Sequence, residues 1–154
     1  MHATSQSAVW IKEPSAEAGV VIVTSAALPK YMIDKLHMAI DDWDQVAYLA
    51  VKQSRELMLD WLRVGFNPGQ STRVDACDAG QLLRYVSKGS FLLDVEVGAA
   101  PVLAWLGSVC GHPLRVVELG EVASSSAAKD RQVEAVLSAT RSLAKSVLQE
   151  RCGI

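Results

Sequence analysis

The residue types that stand out first in this sequence are a thiol and an imidazole, in Cys110-Gly111-His112. A cysteine nucleophile and its general base would use such a pair. The tripeptide precedes the fifth predicted strand, so we expect it at the amino ends of the strands. Ligands in open α/β sheets bind beyond the carboxyl ends instead. A structural thiol and a turn histidine are therefore the favoured interpretation.

Carboxylates follow several of the predicted strands, where a divalent cation or a basic partner could bind them. They are Asp75, Asp78, Glu96, Glu118 and Glu121. Helix capping accounts for Asp78, and solvation at a strand end accounts for Glu118 and Glu121. We therefore predict no metal site and no catalytic residue, and a small metal-dependent α/β enzyme is the least favoured alternative.

The turn after the first predicted strand is Thr24-Ser25-Ala26-Ala27-Leu28-Pro29. It contains neither the glycines nor the lysine of a phosphate-binding loop. No G-x-S-x-G, G-x-G-x-x-G or spaced Cys/His pair occurs elsewhere in the chain. The sequence thus predicts a protein that uses no nucleotide or other cofactor.

The elements that must position these residues alternate between apolar runs and amphipathic stretches. The predicted strands are 19–24, 45–51, 72–76, 90–97 and 114–119, and a long helix follows from Ser124 to about Glu150. This order predicts an α/β fold with three layers and an open, mostly parallel five-stranded sheet. We expect residues 1–18 to form a flexible arm and residues 19–154 to form a single domain.

Two elements depart from the regular pattern. In the fourth predicted strand, Asp94 and Glu96 share one face, which indicates an edge strand, a sheet partly open to water, or carboxylates in a functional cleft. The fourth predicted helix, 99–110, is apolar nearly all round from Pro101 to Leu106. Such a helix is buried on more than one side, either in the core or at an interface with another chain.

Composition excludes several classes of protein. Half of the residues are hydrophobic, as in a globular protein, and the net charge of -2 gives no reason to expect nucleic-acid binding. No apolar stretch is long enough to cross a bilayer. Three unpaired cysteines fit reduced thiols, so we expect a cytoplasmic protein.

Tryptophan is the residue type that best indicates a binding role. Trp61 and Trp105 lie on apolar stripes, where core packing is the simpler explanation. The alternative is that one of them is an exposed anchor, because aromatic side chains dominate binding hot spots.

The order of segments resembles the SOS-induced cell-division inhibitors of the SulA type, which are similar to a RecA domain without its phosphate loop. The segments are VVIV (20–23), QVAYLAV (45–51), LDWLRVGFN (59–67), TRV (72–74), KGS (88–90), FLLDVEV (91–97) and LRVVEL (114–119). The chain departs from that family in having Asp44-Gln45 where an arginine precedes the second strand.

This resemblance implies a non-catalytic homodimer that binds FtsZ and blocks its polymerisation without using nucleotide. It implies that Trp61 and Arg73 belong to the binding face, with an aliphatic strand position near Ala50. The alternative is an accessory or adaptor subunit of another bacterial complex on the same scaffold. In that case the apolar segment with Trp105 and the C-terminal helix would form the interface.

Overall fold

The computed structural model describes residues 5–65, 76–98 and 102–153. The strands are β1 (Ala8–Lys12), β2 (Val20–Thr24), β3 (Val46–Val51), β4 (Phe91–Glu96) and β5 (Leu114–Glu118). The helices are α1 (Lys30–Ile40), α2 (Ser54–Gly65), α3 (Asp78–Leu83), α4 (Gly107–Cys110) and α5 (Ser126–Arg151). None of the helices in these ranges is both long and apolar enough to cross a membrane.

The five strands form one sheet in the order β1-β3-β2-β4-β5. β2 to β5 are parallel, and only β1 runs antiparallel to its neighbour β3. The α/β class, the five-stranded, mostly parallel sheet and the long C-terminal helix are confirmed. The predicted strand at 72–76 lies, except for Ala76, outside the described residues.

The first strand corrects our prediction of a flexible arm over residues 1–18. Residues 8–12 add an antiparallel edge strand in which Ala8 pairs with Val51. Trp10 packs into the core layer on one face of the sheet, and Val9 packs into the layer on the other. The apolar run Ala8 to Ile11 is only four residues long and lies between polar segments, so the sequence did not distinguish it as a strand.

Helices cover both faces of the sheet. α1 and α5 pack on one face, in a core layer that includes Ile22, Tyr48 and Val136. α2, α3 and α4 pack on the other, in a layer that includes Val23 and Leu92. β2 is buried along its whole length because both layers meet on it, as its uninterrupted apolar sequence predicts.

The prediction of a continuous helix over 99–110 is wrong for the part of it that the structure describes. Residues 104–106 form one 3-10 turn, and only Gly107–Cys110 is α-helical. Gly111, with a φ of 79°, ends the helix in the left-handed conformation. Leu103 and Leu106 are buried while Val102 is exposed, so this segment is covered on one side rather than all round.

Candidate protein-interaction surface

Trp61 of α2 and Trp105 of the 3-10 turn form a stacked pair. Their ring centroids are 5.2 Å apart and their planes differ by 23°. Both side chains are half-buried and pack on the core layer beneath α2. An aromatic pair that is half in water presents a large, rigid apolar area at little cost in side-chain entropy.

A groove lies beside the stacked pair. It has a volume of about 340 Å³ and is lined by Arg55 and Met58 of α2 and by Val102 and Trp105. Val102 is 47% exposed although it is fully apolar. We call Arg55, Met58, Trp61, Val102 and Trp105 together the tryptophan surface.

Trp105 is held in place by a short chain of hydrogen bonds that starts in the sheet. The Trp105 Nε1–H donates to the carbonyl oxygen of Val102 at 3.0 Å. The backbone N–H of Val102 in turn donates to Oε1 of Glu96, at the end of β4, at 3.2 Å. The surface is therefore anchored by a carboxyl oxygen of a strand that lies inside the sheet.

The carboxylates of β4 are buried, contrary to two of our three explanations for them. β4 lies between β2 and β5, so it is not an edge strand. Asp94 is 0% exposed and Glu96 is 4% exposed, so this part of the sheet is not open to water. Neither carboxylate oxygen of Asp94 has a hydrogen-bond partner within the described residues. Burial, reinforced by the neighbouring Glu96, raises the pKa of Asp94 to about 8.

The structure brings together two of the four residues that the sequence indicated for partner binding. Trp61 and Trp105 share the tryptophan surface. Ala50 is 7% exposed and faces the opposite layer, beneath α1 and α5. Arg73 lies outside the described residues.

Arg55 and Met58 were missed at the sequence level, whereas Val102 lies in the apolar segment Pro101–Leu106 that the sequence offered as an interface. Met58 lies next to Leu57 on the apolar stripe of α2 that carries Trp61, for which core packing was the simpler explanation. Only Leu57 is fully buried, while Met58 is half-buried at the edge of the groove.

The Cys110-Gly111-His112 tripeptide does not form a nucleophile and base. The Nε2–H of His112 donates to the carbonyl oxygen of Val86 at 3.0 Å, and its buried Nδ1 has no partner among the residues that the structure describes. Burial raises the pKa of the Cys110 thiol, which keeps it protonated near neutral pH. The favoured structural interpretation of this tripeptide agrees with these contacts.

The acidic strand ends are dispersed. Within residues 5–65, 76–98 and 102–153, no three His, Cys, Asp or Glu side chains are placed to hold a metal ion. Our prediction that Asp78 caps α3 is wrong. The N-cap is Cys77, whose Sγ accepts a hydrogen bond from the Gly80 N–H. The Asp78 carboxylate instead accepts a hydrogen bond from the hydroxyl of Ser5. Asp75 lies outside the described residues.

The turn between β2 and α1 is closed by its own hydrogen bonds. The Ser25 hydroxyl accepts from the Ala27 N–H, and the Ser25 carbonyl accepts from the Leu28 N–H. Pro29, which has no N–H, stands at the N-cap of α1. This helix end therefore offers fewer free backbone donors than a phosphate-binding turn needs.

Comparison with protein families, with curated proteins and with solved structures finds no match. The tryptophan surface is therefore the main guide to function.

Proposed function

We propose that this chain is a non-catalytic protein–protein interaction module that binds its partner through the tryptophan surface. The observation that carries the proposal is the half-exposed stack of Trp61 on Trp105, next to a groove with the exposed side chain of Val102. Paired aromatic anchors beside an apolar groove are typical of binding hot spots. The cation of Arg55 at the rim would orient an acidic partner.

The specific form of the proposal is a cell-division inhibitor that binds FtsZ. The scaffold would be RecA-like, with nucleotide handling lost from the turn between β2 and α1. The resemblance in segment order and the closed Thr24–Pro29 turn support this form. The protein would occupy the association face of FtsZ, so inhibition would need one inhibitor for each FtsZ monomer and no nucleotide hydrolysis by the inhibitor.

Sedimentation of FtsZ polymer tests the identity of the partner. FtsZ is assembled with GTP at a fixed concentration while this protein is titrated from below to above equimolar. We expect the pelleted fraction to fall and to reach its minimum near a one-to-one ratio. An unchanged pellet at a twofold excess, with the protein shown to be folded by circular dichroism, would exclude FtsZ as the partner.

The second candidate is an adaptor subunit of another bacterial complex that uses the same surface. The observation that favours it is that the surface depends on Trp105 and Val102, which the family resemblance does not include. Affinity purification from the native host separates the two candidates. Recovery of a stoichiometric partner other than FtsZ, lost in a Val102→Glu variant, supports an adaptor, whereas recovery of FtsZ supports the inhibitor.

Homodimer formation is also part of the proposal, and β5 offers a place for it. Among the described strands β5 is the last of the sheet, and its Val116 is 39% exposed. An uncovered edge strand is a template for pairing with a second copy. Sedimentation velocity should show a dimer that a Val116→Lys variant dissociates; a monomer at all concentrations would remove this part of the proposal.

A further inference from the structure

Two carboxyl groups lie next to each other beneath the tryptophan surface. Asp94 and Glu96 are two residues apart on β4, so both point to the face of the sheet that carries Leu92 and the core layer under α2. Asp94 is 0% exposed and Glu96 is 4% exposed. Among the residues that the structure describes, no group hydrogen-bonds to either oxygen of Asp94. Ionisation of Asp94 would therefore place a charge where no described donor receives it.

The nearest neighbours of Asp94 leave Glu96 as the charge that acts on it. In the sheet, Asp94 lies between Val23 of β2 and Val116 of β5. Burial and the adjacent Glu96 both raise the pKa of Asp94. The segment 102–106, which follows β4, has no titratable side chain.

The other titratable groups around this face are exposed to water or uncharged. The charged side chains of α2 and α3 are all at least partly exposed, and they are Arg55, Glu56, Asp60, Arg63 and Asp78. Glu118, the neighbour of Glu96 on β5, is exposed. Burial raises the pKa of the thiols of Cys77 and Cys110, which therefore stay protonated near neutral pH. None of these groups is a buried counter-ion for Asp94.

Glu96 joins this carboxyl pair to the tryptophan surface. Its Oε1 accepts the hydrogen bond of the Val102 N–H, and the Val102 carbonyl oxygen accepts that of the Trp105 indole. The two buried leucines of the same segment pack into the core layer on this face of the sheet. A change at the carboxyl pair therefore reaches Trp105 through two hydrogen bonds.

The segment 102–106 is a thin cover over this part of the sheet. Its regular structure is one 3-10 turn of three residues, 104–106. Val116, the neighbour of Asp94 on β5, is 39% exposed, so solvent lies one strand away on the same face. Short elements with few backbone hydrogen bonds open at a smaller free-energy cost than the core of a sheet. Opening of this segment is therefore the least costly way to bring water to the carboxyl pair.

We propose that a proton held by Asp94 next to Glu96 controls the tryptophan surface: while it is bound the segment 102–106 stays closed, and its loss to solvent opens the segment and weakens partner binding. The inference rests on the proposed function, because it gives the regulation of the same surface. An ionised Asp94 is desolvated and lies beside a second carboxyl group. Both costs fall when the segment lifts and water enters, at the expense of the hydrogen bond between Glu96 and Val102. The closed surface is therefore favoured below the raised pKa of Asp94 and is lost as the pH rises through it.

Fluorine NMR of the protein labelled with 5-fluorotryptophan tests the proposal without any partner. Each of the four tryptophans gives one resonance, and a Trp105→Phe variant assigns that of Trp105. We expect the Trp105 resonance to move towards that of a solvent-exposed indole between pH 6 and 9.5, with a midpoint near pH 8. The resonance of Trp43, which packs in the layer on the other face of the sheet, should not move and is the internal reference.

Three variants locate the proton. Asp94→Asn cannot ionise, so its Trp105 resonance should stay at the closed position over the whole pH range. Glu96→Gln keeps an oxygen acceptor for Val102 and removes the neighbouring carboxyl group, so its midpoint should move to lower pH. Glu118→Gln is the matched control at the exposed position beside Glu96, and it should titrate like the original protein.

Three results would overturn the proposal. The first is a Trp105 resonance of the original protein that does not move over this pH range. The second is loss of the whole fold, measured by circular dichroism, together with the Trp105 transition, because the opening is then not local. The third is a transition in Asp94→Asn at the original midpoint. If Asp94→Asn does not fold, an unchanged midpoint in Glu96→Gln has the same consequence.

These measurements use neither FtsZ nor any other partner, so the control by the proton and the proposed function can fail separately. A Trp105 resonance that does not move removes the control and leaves binding through the tryptophan surface to the FtsZ assay. Where both hold, the affinity for the partner should fall about tenfold at one pH unit above the midpoint, because about a tenth of the molecules are then closed.

Discussion

The indole ring of Trp61 stacks on that of Trp105, although one lies on a helix and the other follows a distant strand. Trp105 is positioned by Val102, which hydrogen-bonds to Glu96 of β4. α2 and the segment that begins at Val102 are thereby joined into one surface on a rigid sheet. Rigidity matters for binding because an anchor that is already ordered loses little entropy when the partner arrives.

The stack predicts an energetic coupling between its two members. Aromatic pairs contribute about 0.5–1.5 kcal/mol beyond the area that they bury. We expect the Trp61→Ala/Trp105→Ala double variant to lose less stability than the sum of the losses of the two single variants. The difference should be about 0.5–1.5 kcal/mol, the energy of the stack. Urea denaturation of the four proteins of the cycle measures the difference. Strictly additive effects would mean that the stack is a contact without energetic weight.

Asp94 predicts that stability falls as pH rises. Its pKa is raised from 3.8 to about 8, so the folded protein holds a proton that the unfolded chain releases near pH 4. The contribution of Asp94 to the free energy of unfolding should therefore be largest below pH 4. It should decline as the pH rises from 4 to 8. Asp94→Asn should match the original protein below pH 4 and exceed it in the free energy of unfolding by a margin that grows as the pH rises from 4 to 8.

Urea denaturation at several pH values provides this measurement. Glu118→Gln is the control, because Glu118 pairs with Glu96 across β4 and β5 but is exposed to solvent. It should retain the pH dependence of the original protein. A curve for Asp94→Asn that runs parallel to the original at all pH values would show that Asp94 ionises normally.

Lys12 predicts that β1 contributes to the stability of α1. Its Nζ donates to the carbonyl oxygens of Ile40 and Trp43, both at 2.6 Å, at the end of that helix. Lys12→Met keeps most of the aliphatic chain and removes both donors. We expect a loss of about 1–3 kcal/mol in the free energy of unfolding. As a control, Lys145→Met on the exposed face of α5 should change the free energy of unfolding little. If Lys12→Met and Lys145→Met have equal effects, the hydrogen bonds of Lys12 do not contribute to stability.

The buried hydrogen bond of His112 should contribute to the stability of the core in a similar way. His112→Phe preserves ring volume and leaves the buried carbonyl of Val86 without its donor. A buried acceptor without a partner costs about 1–3 kcal/mol. Thermal denaturation should show a clear decrease for His112→Phe and almost none for His37→Phe, because His37 is partly exposed on α1. An unchanged midpoint for His112→Phe would mean that water replaces the imidazole.

Sequence patterns were sufficient for the interior of the sheet and insufficient at its margins. The runs that became β2 and β3 are almost entirely apolar, because both of their faces are covered. The strand at Ala8–Lys12 is short and borders polar residues, and its partner β3 is distant in the chain. Local pattern carries no information on such a pairing.

The candidate site was predictable in its residue type but not in its arrangement. Trp61 and Trp105 each lie on an apolar stripe, which indicates burial. Their stacking depends on how α2 and the segment after β4 cross on one face of the sheet, and that is set by the strand order. For the same reason Ala50 could not be excluded from the surface by sequence, because its facing depends on the register of β3.

The most direct test of the central claim compares Val102→Glu with Val122→Glu in the FtsZ sedimentation assay. Both valines are 47% exposed, so either glutamate is tolerated by the fold. Val102 lies in the groove of the tryptophan surface, whereas Val122 lies in the loop that Gln132 of α5 holds. We expect the Val102→Glu variant not to inhibit FtsZ assembly. We expect the Val122→Glu variant to inhibit it at one molecule per FtsZ monomer, like the original protein. Full inhibition by Val102→Glu would contradict it.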